Sequence, residues 1–289
     1  MAELKKVLNH PEALTHAKLK SVCEKYGATI FPKIRLADVF PIENSVIEQS
    51  LYKYALMAHF DFLVANGENH TPLFAVEFDG PYHQDNIQIK RDEKKNELCK
   101  SFQLPLLRIN SNHISKEYRN LDLLSWLVEV WFSREAFFEW QEKGYVPYDE
   151  IFSPMLIGSL PDRKETFPLW LSASAILKIR KLWEAQRIKS WSPSGEWIGV
   201  DAKGNYHGFI WIWLDDTYGT YYISAIRSQN FPVVESDLLS EILICELYEK
   251  LIKVIEGSIK AETKESIVEK FGAFEKRYKE RRSMLSREP

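Results

Sequence analysis

Cysteine is scarce in this chain and never paired. Cys23, Cys99 and Cys245 are odd in number and far apart. That excludes a disulfide frame and a C-x-x-C zinc site, and it leaves ordinary thiols of a reducing compartment. No apolar run approaches the length that spans a bilayer. The opening Met1-Ala2-Glu3-Leu4-Lys5-Lys6 has no apolar core behind it, so no signal peptide is expected. Internal repeats and low-complexity tracts are also missing. So is any excess of basic charge: the net charge is −3. A nucleic-acid partner is therefore not advertised by the total, although a local basic groove would suffice for one. What remains is the composition of a soluble, cytoplasmic protein, 45% hydrophobic and 27% charged, with ample material for a buried core.

Two domains fit 289 residues. A first helix is expected from Asn9 as cap, with Pro11 in its first turn and a stop at Gly27. Extended chain follows from Ala28. A strand-like run, His59 to Val64, closes at the turn Asn66-Gly67. Leu73 to Asp79 is the clearest strand, and Gly80-Pro81 ends it. A charged helix, Ile87 to Phe102, leads to a buried strand at 104–109 and a long helix from Leu121 to Trp140. That order implies an α/β domain over residues 1–143. Prolines and glycines make 144–168 a connector. Residues 169–262 read as a smaller α+β module with an antiparallel meander, strands near Trp197–Val200, Tyr206–Trp213 and Thr220–Ile226. Residues 263–289 read as a polar, locally basic tail, in which Phe274 to Arg287 forms a fraying helix.

In the strand at 73–79, Phe74, Val76 and Phe78 alternate with Ala75, Glu77 and Asp79. Two carboxylates on one face of a hydrophobic strand resist desolvation unless a cation or solvent meets them. If this strand pairs with the preceding one, Asp61 and Glu77 converge. Hard oxygen ligands in an incomplete shell suit Mg²⁺. Read backward from Phe102 and Leu98, the sheet-facing stripe of the next helix passes through Lys95 and Arg91, where a surface helix normally carries Leu or Ile. Carboxylates, a metal and a lysine near an attacking water are the components of in-line phosphodiester attack.

The strings Glu77-Phe78-Asp79-Gly80-Pro81-Tyr82-His83, Arg91-Asp92-Glu93-Lys94-Lys95 and Leu104-Pro105-Leu106-Leu107-Arg108-Ile109 resemble the PD-(D/E)XK superfamily. The nearest branch is that of very-short-patch-repair-type endonucleases and related uncharacterised bacterial domains. Pro11-Glu12, Phe31 to Val39 and Phe60-Asp61-Phe62 fit the same pattern. The resemblance covers roughly residues 9 to 125, under half of the chain. It implies a restriction-endonuclease-like mixed sheet flanked by helices, and a Mg²⁺- or Mn²⁺-dependent nuclease acting on DNA in repair, restriction or anti-phage defence. Asp61 and Glu77 would bind the metal with the Phe78 carbonyl, and Lys95 would take the part of the motif lysine. Glu12 would hold a metal water, while His83 and Arg91 would contact phosphate or tune the site. One departure stands out: the usual E-x-K has Asp79 where lysine belongs. That departure supports the alternative of an inactive nuclease-like scaffold, a DNA-binding or assembly subunit.

Taken singly, each residue has a plainer reading. Asp61 also reads as a strand-end residue bonded to a turn, and Glu77 with Asp79 as the solvated face of an edge strand. Lys95 and Arg91 read equally as snorkelling side chains, and Glu12 as a favourable charge in a helix's first turn. Arg108 reads as a salt-bridge partner. In the second half, Trp197, Trp211, Trp213 and Tyr221 offer base stacking, but a meander's core or an interface with a protein partner or second copy accounts for them as well. No membrane partner is expected.

Overall fold

The computed structural model describes residues 4, 6–79, 86–159 and 164–285. It is a mixed α/β protein of two compact units, Met1–Phe152 with Gln229–Val233, and Ser153–Ser228 with Val234–Pro289. Among the described residues, no helix is long and apolar enough to cross a membrane.

The first unit begins as its sequence dictates. Helix α1, His10–Cys23, is closed at its start by a reciprocal capping box between Asn9 and Glu12. A short 3₁₀ turn ends at Gly27 with φ +62°, a conformation that favours glycine. Next come β1 (Ala28–Pro32), the short α2 (Leu36–Val39), α3 (Gln49–Met57), β2 (Phe62–Asn66) and β3 (Pro72–Phe78). Helix α4 (Asn86–Ser101) crosses over to β4 (Leu106–Ile109). After α5 (Ser111–Ser115) and the two-residue strands β5 (Glu117–Tyr118) and β6 (Leu121–Asp122), α6 runs from Leu123 to Glu142.

The sheet order is β1-β2-β3-β4. The first three strands are antiparallel, and β4 is parallel to β3, as a helical crossover requires. One face meets α1 and α6: Phe62 stacks on His16, and Phe74 packs on Trp131. The other face joins α3 and α4 in a core that includes Leu51, Ala55, Leu63, Ala75, Leu98 and Cys99. The outer edge of β4 is covered by remote chain. Leu106 N–H donates to Asn230 O at 2.7 Å, and the Gln229 side chain bonds both the N–H and the C=O of Arg108. An exposed strand edge is thereby closed.

The turn after β2 leaves no room for a side chain at Gly67. A Cβ there would lie 2.1 Å from the Gly27 carbonyl oxygen, which already accepts the Gly67 N–H at 2.9 Å. Gly67→Ala is expected to cost about 1–3 kcal/mol. Gly158→Ala, with nothing within 4 Å of the new carbon, is the near-neutral control, and urea unfolding of both variants checks the difference.

The second unit contains α7 (Ala173–Glu184), the strands β7 (Gly195–Val200), β8 (Tyr206–Trp213) and β9 (Tyr218–Ile226), then α8 (Glu235–Ile255), β10 (Glu262–Thr263), α9 (Lys264–Glu275) and β11 (Lys279–Leu285). The expected meander is present, within a sheet of order β10-β9-β8-β7-β11. Phe209 and Trp211 face α9, packing on Phe271 and Phe274 with Trp197. These aromatics are interior, whereas Trp183 and Trp191 are exposed. The opposite face packs on α8, where a Cβ at Gly208 would strike Leu243 and Leu239. The end of the chain differs from expectation. Within residues 263–289, read as a polar tail, Lys264–Glu275 forms α9, and the expected helix from Phe274 to Arg287 is replaced by the edge strand β11, which pairs antiparallel with β7.

Candidate functional site

Register brings the two strand carboxylates together. Phe62 lies opposite Val76, so Asp61, one residue earlier, meets Glu77. Asp61 N–H donates to Glu77 Oε1 at 3.2 Å, and Phe78 N–H donates to Asp61 Oδ2 at 2.9 Å. The face that is apolar at Ala75 and Leu63 becomes polar at this end of the sheet. Glu77 is 7% exposed. Burial pushes its carboxyl above the usual range and Asp61 adds to that, while Lys95 and Arg108 oppose the shift.

Helix α4 supplies the opposing charge. Lys95 is as buried as Glu77 and reaches Glu77 Oε2 at 2.6 Å. Its ammonium also donates to His59 O at 2.8 Å and lies 5.6 Å from the centre of the Phe60 ring. The expected partner on the same stripe is corrected by the structure: Arg91 is exposed, and Asp92 is the buried neighbour. The stripe runs back from Lys95 by three residues, not four, because Arg108 from β4 points at α4 and draws an anion. Arg108 Nη1 lies 3.0 Å from Asp79 and 3.3 Å from Asp92, and its remaining nitrogens bond Asn96. Asp79 is thus neutralised by Arg108.

The third carboxylate comes from α1. Glu12 closes the capping box and also accepts from Lys33 Nζ at 2.7 Å. The same ammonium bonds Asp61 Oδ1 at 2.6 Å. Burial alone would lower the Lys33 pKa, but its bonds to Asp61 and Glu12 raise it instead. Lys33 carries no functional signal in the sequence. It sits at φ +54°, just past β1, where no periodicity marks it. His83 lies outside the described residues.

Among the described residues, no three His, Cys, Asp or Glu side chains converge as a ready-made metal cage. What is present is a pair of adjoining carboxylates, Asp61 and Glu77, with Glu12 joined to Asp61 through an ammonium. Hard oxygen donors in an incomplete shell suit Mg²⁺, which keeps waters and uses one or two carboxylates. The Lys33 ammonium already places positive charge between two of these groups. Each oxygen of Asp61 and Glu77 already has a hydrogen-bond or ion-pair partner, so a cation bound there would have to share or displace one of them.

A family model described as "Protein of unknown function (DUF2726)" matches residues 4–123, a span that holds Glu12, Lys33, Asp61, Glu77, Asp79, Lys95 and Arg108. No curated protein matches the chain, and no solved structure does.

Proposed function

We infer that the first unit is a divalent-metal-dependent nuclease domain that hydrolyses phosphodiester bonds in DNA. The reading rests chiefly on Lys95, which a crossing helix delivers to 2.6 Å from Glu77 while Arg108 neutralises Asp79 at the usual lysine position. The PD-(D/E)XK resemblance implies a mixed sheet flanked by helices, and the mixed sheet β1-β2-β3-β4 with helices on both faces supports the same reading. Asp61 and Glu77 would hold the cation, with the Phe78 carbonyl as the further ligand that the resemblance implies. The chemistry that such a cation would supply is neutralisation of phosphate charge and a lower pKa for bound water. Lys95, shielded from solvent, keeps a fixed positive charge where negative charge develops during attack. Arg108 and Asn96 hold Asp79 and the α4 backbone in place, so that Lys95 does not wander.

The test is cleavage of supercoiled, linear duplex and single-stranded DNA in Mg²⁺, Mn²⁺ or EDTA. Wild type is expected to cleave at least one substrate only with metal, and Asp61→Asn to lose that activity. A second reading, a nuclease-like scaffold that binds DNA or assembles with a partner without cleaving it, is favoured by one observation. Both ammonium groups are already engaged with the carboxylates. Salt-sensitive DNA binding without cleavage in any metal would select it.

A further inference from the structure

Lys33 and Lys95 meet the carboxylates differently. Lys95 is sealed in the core, its side chain 9% exposed, whereas the Lys33 side chain is 33% exposed at the rim. The Lys33 backbone is pinned, since its N–H donates to Asp61 O at 2.9 Å. A non-glycine residue in the left-handed region persists where its surroundings hold it there. From that anchor the side chain bridges Glu12 Oε1 and Asp61 Oδ1, the Asp61 oxygen not taken by the Phe78 amide. A cation that ligates Asp61 must therefore contend with an ammonium for Oδ1. Beside it opens a cleft of about 440 Å³ lined by Lys33, Arg35, Asp38 and His59 among others. Arg35 in that cleft is already paired with Asp38 at 2.8 Å.

We propose that Lys33 is a tethered counter-cation that holds Glu12 and Asp61 until a divalent cation exchanges with it, one metal ion entering as the ammonium swings into the cleft beside Arg35 and His59. The exchange rests on the reading of Asp61 and Glu77 as metal carboxylates. It gives the site a threshold, because metal binding is weakened by the work of displacing Lys33. It also delivers a freed ammonium next to the metal, positioned for an anionic group such as a substrate phosphate. Two like charges at Asp61 Oδ1 repel each other, so metal binding and the Lys33 bridge oppose one another.

The experiment is calorimetric titration of the full chain with MnCl₂, with melting temperature as a second readout. Lys33→Gln is expected to bind Mn²⁺ at least about tenfold tighter than wild type. The same variant melts lower than wild type in EDTA and recovers at saturating Mn²⁺. Arg35→Gln, which removes a nearby charge that touches neither carboxylate of the bridge, leaves affinity within about twofold. Lys33→Arg keeps a fixed cation with a two-pronged grip and binds metal no tighter than wild type. If wild type binds Mn²⁺, Glu77→Gln weakens it and Lys33→Gln binds no tighter, the exchange is overturned while the metal site stands. If neither wild type nor Lys33→Gln binds at millimolar Mn²⁺, both fall together. Tighter binding by Lys33→Arg would also overturn the exchange, and it covers the case in which the Gln variant does not fold.

Discussion

Lys95→Met is expected to lower metal-dependent cleavage by a factor of about 10²–10³ and the stability of the first unit by about 3–5 kcal/mol. Both effects have one origin. Lys95 and Glu77 are each under 10% exposed and 2.6 Å apart. Removing the ammonium leaves a buried carboxylate with Asp61 close by, and burial already pushes Glu77 toward its neutral form. Replacing both members removes the uncompensated charge. Glu77→Gln with Lys95→Met is therefore expected to regain most of the stability lost by Lys95→Met alone, while remaining inactive. Urea unfolding, with hydrogen exchange of the β2 and β3 amides to assign the loss to this sheet, separates the two effects. A near-neutral Lys95→Met would contradict a sealed ion pair, whatever its activity.

The second large effect lies in the other unit and concerns pH. Glu241 on α8 is 5% exposed and accepts the Ser172 N–H at 2.7 Å. Burial raises its pKa from 4.5 to about 7; the Ser172 bonds oppose that shift, and Glu196 and Asp237 add to it. Glu196, bonded to Ser240 and 3.7 Å from Arg282, is raised in the same direction by burial. A carboxyl with a raised folded pKa binds its proton more tightly when folded. Its favourable contribution is complete below the unfolded pKa and is lost as pH rises through the folded one. For Glu241 that window runs from 4.5 to about 7. Gln stays neutral throughout and keeps an oxygen for the Ser172 N–H. Glu241→Gln is thus expected to be more stable than wild type at pH 8 by up to about 3 kcal/mol, with the gap closing toward pH 4.5. Urea unfolding at the two ends of the window measures it; equal stability at pH 8 would mean that Glu241 carries its charge in the fold without cost.

Local signals reached far into the first unit. Asn9, Pro11 and Gly27 mark α1 because caps act within one turn, and the alternation of Phe74, Ala75, Val76 and Glu77 marks both β3 and its polar face. Asp61, Glu77 and Lys95 are brought together as that alternation suggested. Arg91 is not, because Lys95 has helical neighbours on the same side at both three and four residues. Only Arg108, arriving from β4, selects Asp92 over Arg91. Lys33 is invisible for a related reason: a left-handed residue past a strand end belongs to no periodic pattern, and its partners come from α1 and from Asp61 just before β2. The return of Gln229–Val233 to the edge of β4 is likewise non-local. Strand β11 was read as helix because Lys279-Glu280-Arg281-Arg282 shows no apolar alternation. An edge strand carries such charge as protection against further pairing, and its position at the edge is set by β7.

On the proposed function, Asp61, Glu77 and Lys95 form a site for metal-dependent phosphodiester hydrolysis. Its most direct test is cleavage of plasmid DNA by wild type and by Glu77→Gln, each shown to be folded by circular dichroism, with Mg²⁺, Mn²⁺ or EDTA. Cleavage by wild type in metal alone, lost in Glu77→Gln, is the predicted result. Undiminished cleavage by a folded Glu77→Gln protein, or no cleavage by wild type in either metal, would contradict that function.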